Sequence, residues 1–169
     1  MAYIVQNMTL IPQNLTMSCW YASLQMLIRW KEDQKKQSLA HLISPEHDTQ
    51  CVKLRDSNGG IGNSVIVNMA KRIGLKTVPP VCMTADTLEG WLESYGPLWV
   101  NGTSHIVVIA GIMWMPGLGH QVLVYDPSPV GLGSIEWRSL SGWYEGGKVD
   151  SRDTGAGVET IFLYVPDDI

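Results

Sequence analysis

The sequence predicts an α+β domain in which helices pack against one antiparallel sheet. Three observations predict it. Apolar residues in the first half recur at helical spacing between capping and stop residues. The second half changes period, to short apolar runs separated by Gly-rich turns. The 169 residues fit one domain, 1–169, long enough to bury a core, with a mainly helical half over 1–95 and a mainly strand half over 96–169.

Taken in order, residues 3–12 are a short extended lead-in closed by Pro12. Ser18 is suited to cap a helix, since its hydroxyl can accept a bond from a first-turn amide. Cys19 then opens a helix that runs to about Gln37. Its first half, Trp20 to Ile28, is apolar on nearly every side and predicts an enclosed helix. Its second half turns polar after Trp30 and predicts emergence into solvent. Residues 38–60 read as irregular, with a short helix near Leu39–Ile43 and a polar, Gly-rich stretch from Glu46 to Gly60 bordering a cleft. Val65, Ile66 and Met69 predict a helix over Asn63–Ile73, stopped by Gly74. Lys76–Val78 reads as a short strand, and Thr84 or Asp86 caps a helix over Ala85–Tyr95. Strands follow at Leu98–Asn101, His105–Met115, Val122–Tyr125, Ser134–Arg138 and Thr160–Val165, with a single helical turn at Ser139–Trp143. The turns between them include Asn101-Gly102, Gly146-Gly147 and Gly155-Ala156-Gly157.

Composition narrows the function. A net charge of −4 argues against a nucleic-acid partner held through phosphate contacts. No apolar run reaches the roughly 20 residues that cross a bilayer, so no membrane partner is expected. The first residues, Met1 to Asn7, lack the basic start and cleavage site of a signal peptide. Three cysteines, Cys19, Cys51 and Cys82, are too few and too far apart for a disulfide framework or a CxxC metal pair. The chain reads as working in a reducing compartment, with no metal and no cofactor. The tryptophans read as core or cleft wall, not as a stacking platform for bases, given the acidic charge.

Cys19 carries the chemistry. A helix N-terminus bears roughly half a positive charge, which favours thiolate. A thiolate nucleophile needs an imidazole, a group to orient that ring, and donors for the oxyanion. Of the four histidines, His105 stands at the lip of the strand His105-Ile106-Val107-Val108-Ile109-Ala110-Gly111, where rigid backbone holds it. His120, in a Gly-rich turn, is its competitor; His41 and His47 read as surface residues. The run Val122-Leu123-Val124-Tyr125-Asp126-Pro127 ends in an acid. If the two strands are antiparallel neighbours, Asp126 comes near His105; a turn-forming Asp is the other reading.

These residues resemble the papain-like cysteine peptidases. Gln13 precedes Ser18-Cys19-Trp20 at a helix start, His105 is followed by Gly111, and the order Gln, Cys, His, Asp is the family order. The Ser-Cys-Trp core matches the family signature, while Thr16 and Met17 replace its first cysteine and glycine. The run Met17-Ser18-Cys19-Trp20-Tyr21-Ala22, the segment Gly96-Pro97-Leu98-Trp99-Val100 and Tyr125-Asp126-Pro127 look like the compact bacterial branch, the AvrRpt2-like effector peptidases and the peptidase C39-like domains.

The resemblance implies a papain-like fold, a central helix bearing the cysteine against a C-terminal antiparallel sheet. It implies Cys19 as nucleophile, His105 as its base, Asp126 as orienter and Gln13 as oxyanion-hole donor beside the Cys19 amide. It also implies a delivered effector or toxin. Such a protein leaves the cell by a signal-peptide-independent route such as type VI secretion and cleaves a protein in the target-cell cytoplasm. A cognate immunity protein covering the cleft is the partner implied if the target is a rival bacterium. A peptidoglycan peptide amidase, a deamidase or transglutaminase, and a non-catalytic C39-like binding module stand as alternatives.

Overall fold

The computed structural model describes residues 2–78, 84–101, 105–141 and 161–167. Seven strands form one mixed-order antiparallel sheet: β1 (Ala2–Ile4), β2 (Lys76–Thr77), β3 (Leu98–Asn101), β4 (Ile106–Met115), β5 (Gly119–Asp126), β6 (Ser134–Ser139) and β7 (Phe162–Tyr164). Their order is β2-β7-β3-β4-β5-β6, with β1 pairing β4. The helices that lie wholly within the described residues are α1 (Cys19–Lys35), α2 (Thr49–Asp56), α3 (Asn63–Ile73) and α4 (Ala85–Tyr95).

Two apolar clusters divide between the faces of the sheet. One gathers α1 and α3 residues (Trp20, Leu24, Leu27, Ile66, Met69, Ile73) with Trp99, Ile106 and Val108. The other gathers Leu88, Trp91 and Leu92 of α4 with Leu98, Val100, Val107, Ile109, Val122 and Val124. The alternation along β3 and β4 explains this: successive side chains point to opposite faces. Both faces are therefore covered, and β4 reads as a nearly continuous apolar run. The expected arrangement, helices against an antiparallel sheet, holds; the first half also contributes two strands, β1 and β2, to the sheet.

The long helix α1 is enclosed over its first half, with Trp20 to Leu24 and Met26 to Ile28 buried. It ends at Lys35, since Lys36 turns into the left-handed region at φ 57° and both Lys36 and Gln37 donate to the Glu32 carbonyl. Its second half is not wholly solvated. Lys31 is buried, with its ammonium 2.6 Å from Asp167 and 5.5 Å from the Trp30 ring.

Two local expectations fail. Leu39–Ile43 forms no helix; a single 3₁₀ turn lies instead at Pro45–His47. Within the stretch read as irregular lies α2, whose polar sequence hides it. Asp48 caps it through the Cys51 amide (3.0 Å) and receives a two-pronged bond from Arg72 of α3, at 2.7 and 2.8 Å. A tertiary ion pair thus supplies what eight weakly amphipathic residues lack. In α3, Ile66, Met69 and Ile73 face the core while Val65 is exposed. Gly74 ends the helix at φ 96°, and any Cβ there would lie 2.1 Å from the His41 carbonyl oxygen. Helix α4 keeps its expected bounds, capped by Thr84 through the Thr87 amide.

Leu140 and Ser141 begin a helical turn whose expected remainder lies outside the described residues, as do Cys82 and the turns at Gly102, Gly146-Gly147 and Gly155-Ala156-Gly157. Cys51 is a free, buried thiol. Among the described residues, no helix is long and apolar enough to cross a membrane.

Asp48 is buried and serves both α2 and Arg72. Asp48→Ala is expected to destabilise the fold by about 3 kcal/mol, the sum of a lost cap and a broken, largely buried ion pair. Urea unfolding of wild type and variant measures it.

Candidate active site

Cys19 stands at the first position of α1, half-buried. Three contacts fix that first turn in space. The Trp99 indole of β3 donates to the Trp20 carbonyl at 3.1 Å. The Trp20 indole donates to the Gly59 carbonyl at 3.0 Å, and the Ser23 hydroxyl reaches the Ile106 carbonyl of β4 at 3.5 Å. The loop before Cys19 is braced by Asn58, which accepts from the Met17 amide (2.9 Å) and donates to the Thr16 hydroxyl (2.8 Å). The stretch expected to border a cleft therefore supports the cysteine loop.

Ser18 occupies the cap position without capping. Its hydroxyl turns back to Leu15, accepting from the amide and donating to the carbonyl, each at 3.1 Å. The reason is local: at φ −97°, ψ 23° the residue lacks the extended backbone of a capping serine. The consequence is chemical, because the amides of the first turn are not occupied by Ser18 and remain oriented toward an anion.

His105 immediately precedes β4 and Asp126 ends β5. The two strands pair antiparallel through a tight turn in which Leu118 N–H donates to the Met115 carbonyl. Both side chains are buried, and His105 Nε2 meets Asp126 Oδ1 at 2.6 Å. With Nε2 engaged by Asp126, Nδ1 is the other ring nitrogen, and Cys19 is the ring's second close neighbour. Burial alone would push the His105 pKa down; the Asp126 carboxylate, followed by Cys19, outweighs it and holds the ring at about 9. Burial pushes Asp126 up, but His105, Arg138 and the Ser128 amide together hold it below the usual carboxylate range.

Gln13 is buried beside this loop. Its backbone ties two segments, with its amide on the Pro127 carbonyl and its carbonyl on the Gly131 amide. Its side-chain Nε2 donates to the Leu15 (2.9 Å) and Thr16 (3.0 Å) carbonyls, and its Oε1 meets no partner among the described residues. The competing histidines lie elsewhere. His120 is exposed across from Trp114, His47 is exposed, and His41 bonds the Pro166 carbonyl at 2.9 Å. Among the described residues no cluster could hold a metal ion. A thiol, an imidazole and a carboxylate in sequence at the end of a buried helix form the arrangement that thiol acyl transfer requires.

The sequence profile described as papain-like cysteine protease AvrRpt2 matches residues 3–136. The chain belongs to that family. The matched residues carry most of this chain, including Gln13, Cys19, His105 and Asp126. Its structure is similar to that of UfSP from C. elegans, with a TM-score of 0.56 and 16% identity, covering 100% of this chain and 35% of that one. At that identity the likeness shows the papain-like fold. No curated protein sequence matches this chain.

Sequence reasoning missed Arg138 of β6, which is buried and donates from Nη2 to Asp126 Oδ2 at 2.9 Å. A charged residue between Trp137 and Ser139 in a strand is the one signal the sequence offered.

The His105 ring should titrate near pH 9 when followed by NMR, and Asp126→Asn should move that midpoint down toward its ordinary 6.5. Because the folded-state pKa is raised, the associated stability is complete below about pH 6.5 and is lost as pH rises through about 9. Denaturation midpoints across that window check the sign.

Proposed function

We propose that the protease cleaves its substrate through a Cys19–His105–Asp126 triad. The observation that carries this reading is the buried 2.6 Å bond between His105 Nε2 and Asp126, which leaves Nδ1 to Cys19. The attacking form in this reading is a Cys19 thiolate beside a His105 imidazolium. The thiolate attacks the peptide carbonyl, and the Cys19 amide stabilises the oxyanion at the helix N-terminus. Gln13 joins as second donor by exchanging one of its loop-carbonyl bonds for the oxyanion. His105 Nδ1–H then protonates the leaving amine, giving a thioester. Water attacks the thioester as Nδ1 takes its proton, and the acid product leaves. Asp126 keeps the ring aligned and its positive charge stabilised throughout.

Cys19→Ala and His105→Ala are expected to abolish peptide cleavage while the fold, read by circular dichroism, persists. Iodoacetamide should alkylate Cys19 well before Cys51, whose thiol is buried and pushed up to about 12. Peptide-resolved mass spectrometry decides, and preferential labelling of Cys51 would overturn the nucleophile assignment.

We further propose that the protease is a delivered bacterial effector or toxin acting in a target-cell cytoplasm, with an immunity protein over the site where the target is a rival bacterium. Family membership supports this reading. Expression in bacterial cytoplasm should be toxic for wild type and harmless for Cys19→Ala. Toxicity confined to periplasmic expression would favour the peptidoglycan amidase instead.

A further inference from the structure

We propose that Arg138 is a positioning residue of the protease, clamping Asp126 so that its Oδ1 faces His105; this rests on the triad reading above. The register places it there. β5 and β6 pair antiparallel with Asp126 opposite Ser134 and Val122 opposite Arg138. Asp126 and Arg138 thus share one sheet face but stand four positions apart along the strands, about 13 Å. Spanning that gap requires one of the longest side chains available.

The contact pattern divides the carboxylate in two. Oδ1 accepts from His105 Nε2 (2.6 Å) and from the Ser128 amide (2.8 Å); Oδ2 accepts from Arg138 Nη2 (2.9 Å). A carboxylate free to rotate would present either oxygen to the ring, whereas one gripped on both oxygens presents a single geometry. Arg138 is itself held from the outside. Glu136, half-exposed on the same strand, accepts from its Nε at 2.8 Å and its Nη2 at 2.6 Å. Burying a guanidinium is costly, and an apolar residue on this face would pack beside Val122, Val124 and Leu140 without that cost. The charge is retained at the one place where it meets the acid that holds His105.

Cys19 of α1 and Asp126 of β5 face His105, and Asp126 and Glu136 face Arg138. This makes the test discriminating. Removing a positive charge beside Asp126 would, by Coulomb's law alone, strengthen proton binding at His105. Losing the alignment of Asp126 does the opposite. The two roles therefore predict opposite displacements of one measurable midpoint.

The experiment compares wild type, Arg138→Gln and Cys19→Ala, with kcat and KM on a peptide substrate and the His105 midpoint by NMR. The proposal expects Arg138→Gln to lower kcat about tenfold or more with KM nearly unchanged, and to move the His105 midpoint below about 9. A midpoint that holds or rises overturns it, as does an unchanged kcat. If Arg138→Gln does not fold, Arg138→Lys supplies the same readings at smaller amplitude, since a lysine lacks the planar fork. Cys19→Ala separates the two readings. Activity surviving in that variant refutes the triad itself, whereas an inactive Cys19→Ala beside a fully active Arg138→Gln refutes only the clamp.

Discussion

The docking of the first turn of α1 onto the ends of β3 and β4 is the constraint on which the rest of the structure depends. A buried helix cannot choose its neighbours freely, because its apolar circumference has to be matched by other elements. Here the match is made by Trp99, Ile106 and Val108 on the sheet and by Ile66, Met69 and Ile73 on α3. Hydrophobic burial is non-directional, so it fixes that the helix is covered but not where its end lies. The end is located by three directional bonds, from Trp99 to the Trp20 carbonyl, from Trp20 to Gly59 and from Ser23 to the Ile106 carbonyl. Cys19, packed against the edge of that core, therefore arrives beside His105, one residue before β4.

The second requirement is the register of β4 against β5. The pairing near the hairpin aligns Gly111 with Leu123 and Ile112 with Val122, and near the site it aligns Ile109 with Val124 and Val108 with Tyr125. The shift of one residue between these two frames is absorbed at Ala110, a β-bulge. A one-residue change of register moves side chains to the other face. Without the extra residue, the stretch of β4 that runs back to His105 would change phase against β5, and His105 would leave the position from which it meets Asp126. The same bulge leaves the Ala110 carbonyl to the Val5 amide, just beyond β1. The first residues of the chain and the acid of the site are thereby coupled through one irregularity.

Electrostatically, alternating charge runs from His105 through Asp126 and Arg138 to Glu136, with Cys19 at the inner end of the line. It runs from the helix mouth to the surface, with Asp126 3% and Glu136 about half exposed. Each buried member meets a partner of complementary character, which is the condition under which ionised groups persist away from water. The His105 imidazolium is favoured because its nearest charges are a carboxylate and a sulfur, and because Asp126 stays ionised under the grip of Arg138 and Ser128. Cys51 is the contrast. Unlike the half-buried Cys19 it is fully buried, and burial and the neighbouring Asp48 carboxylate raise it to about 12 and keep it inert.

The sequence by itself determined the elements whose signals are local. Helices α3 and α4 were legible from spacing, from Thr84 and from Gly74, and the strands from their alternation and turns. The nucleophile candidate was legible because a helix start is a local event, and His105 and Asp126 because the first opens and the second closes an apolar run. What escaped were features made by distant residues meeting. Helix α2 exists through Asp48 and Arg72, and Ser18 bonds backward because of a backbone angle that no residue type dictates. Arg138 touches Asp126 only once β5 and β6 are in register. Local propensity reaches a few residues along the chain. The tertiary structure alone decided which side chains, far apart in sequence, came to share one end of one sheet.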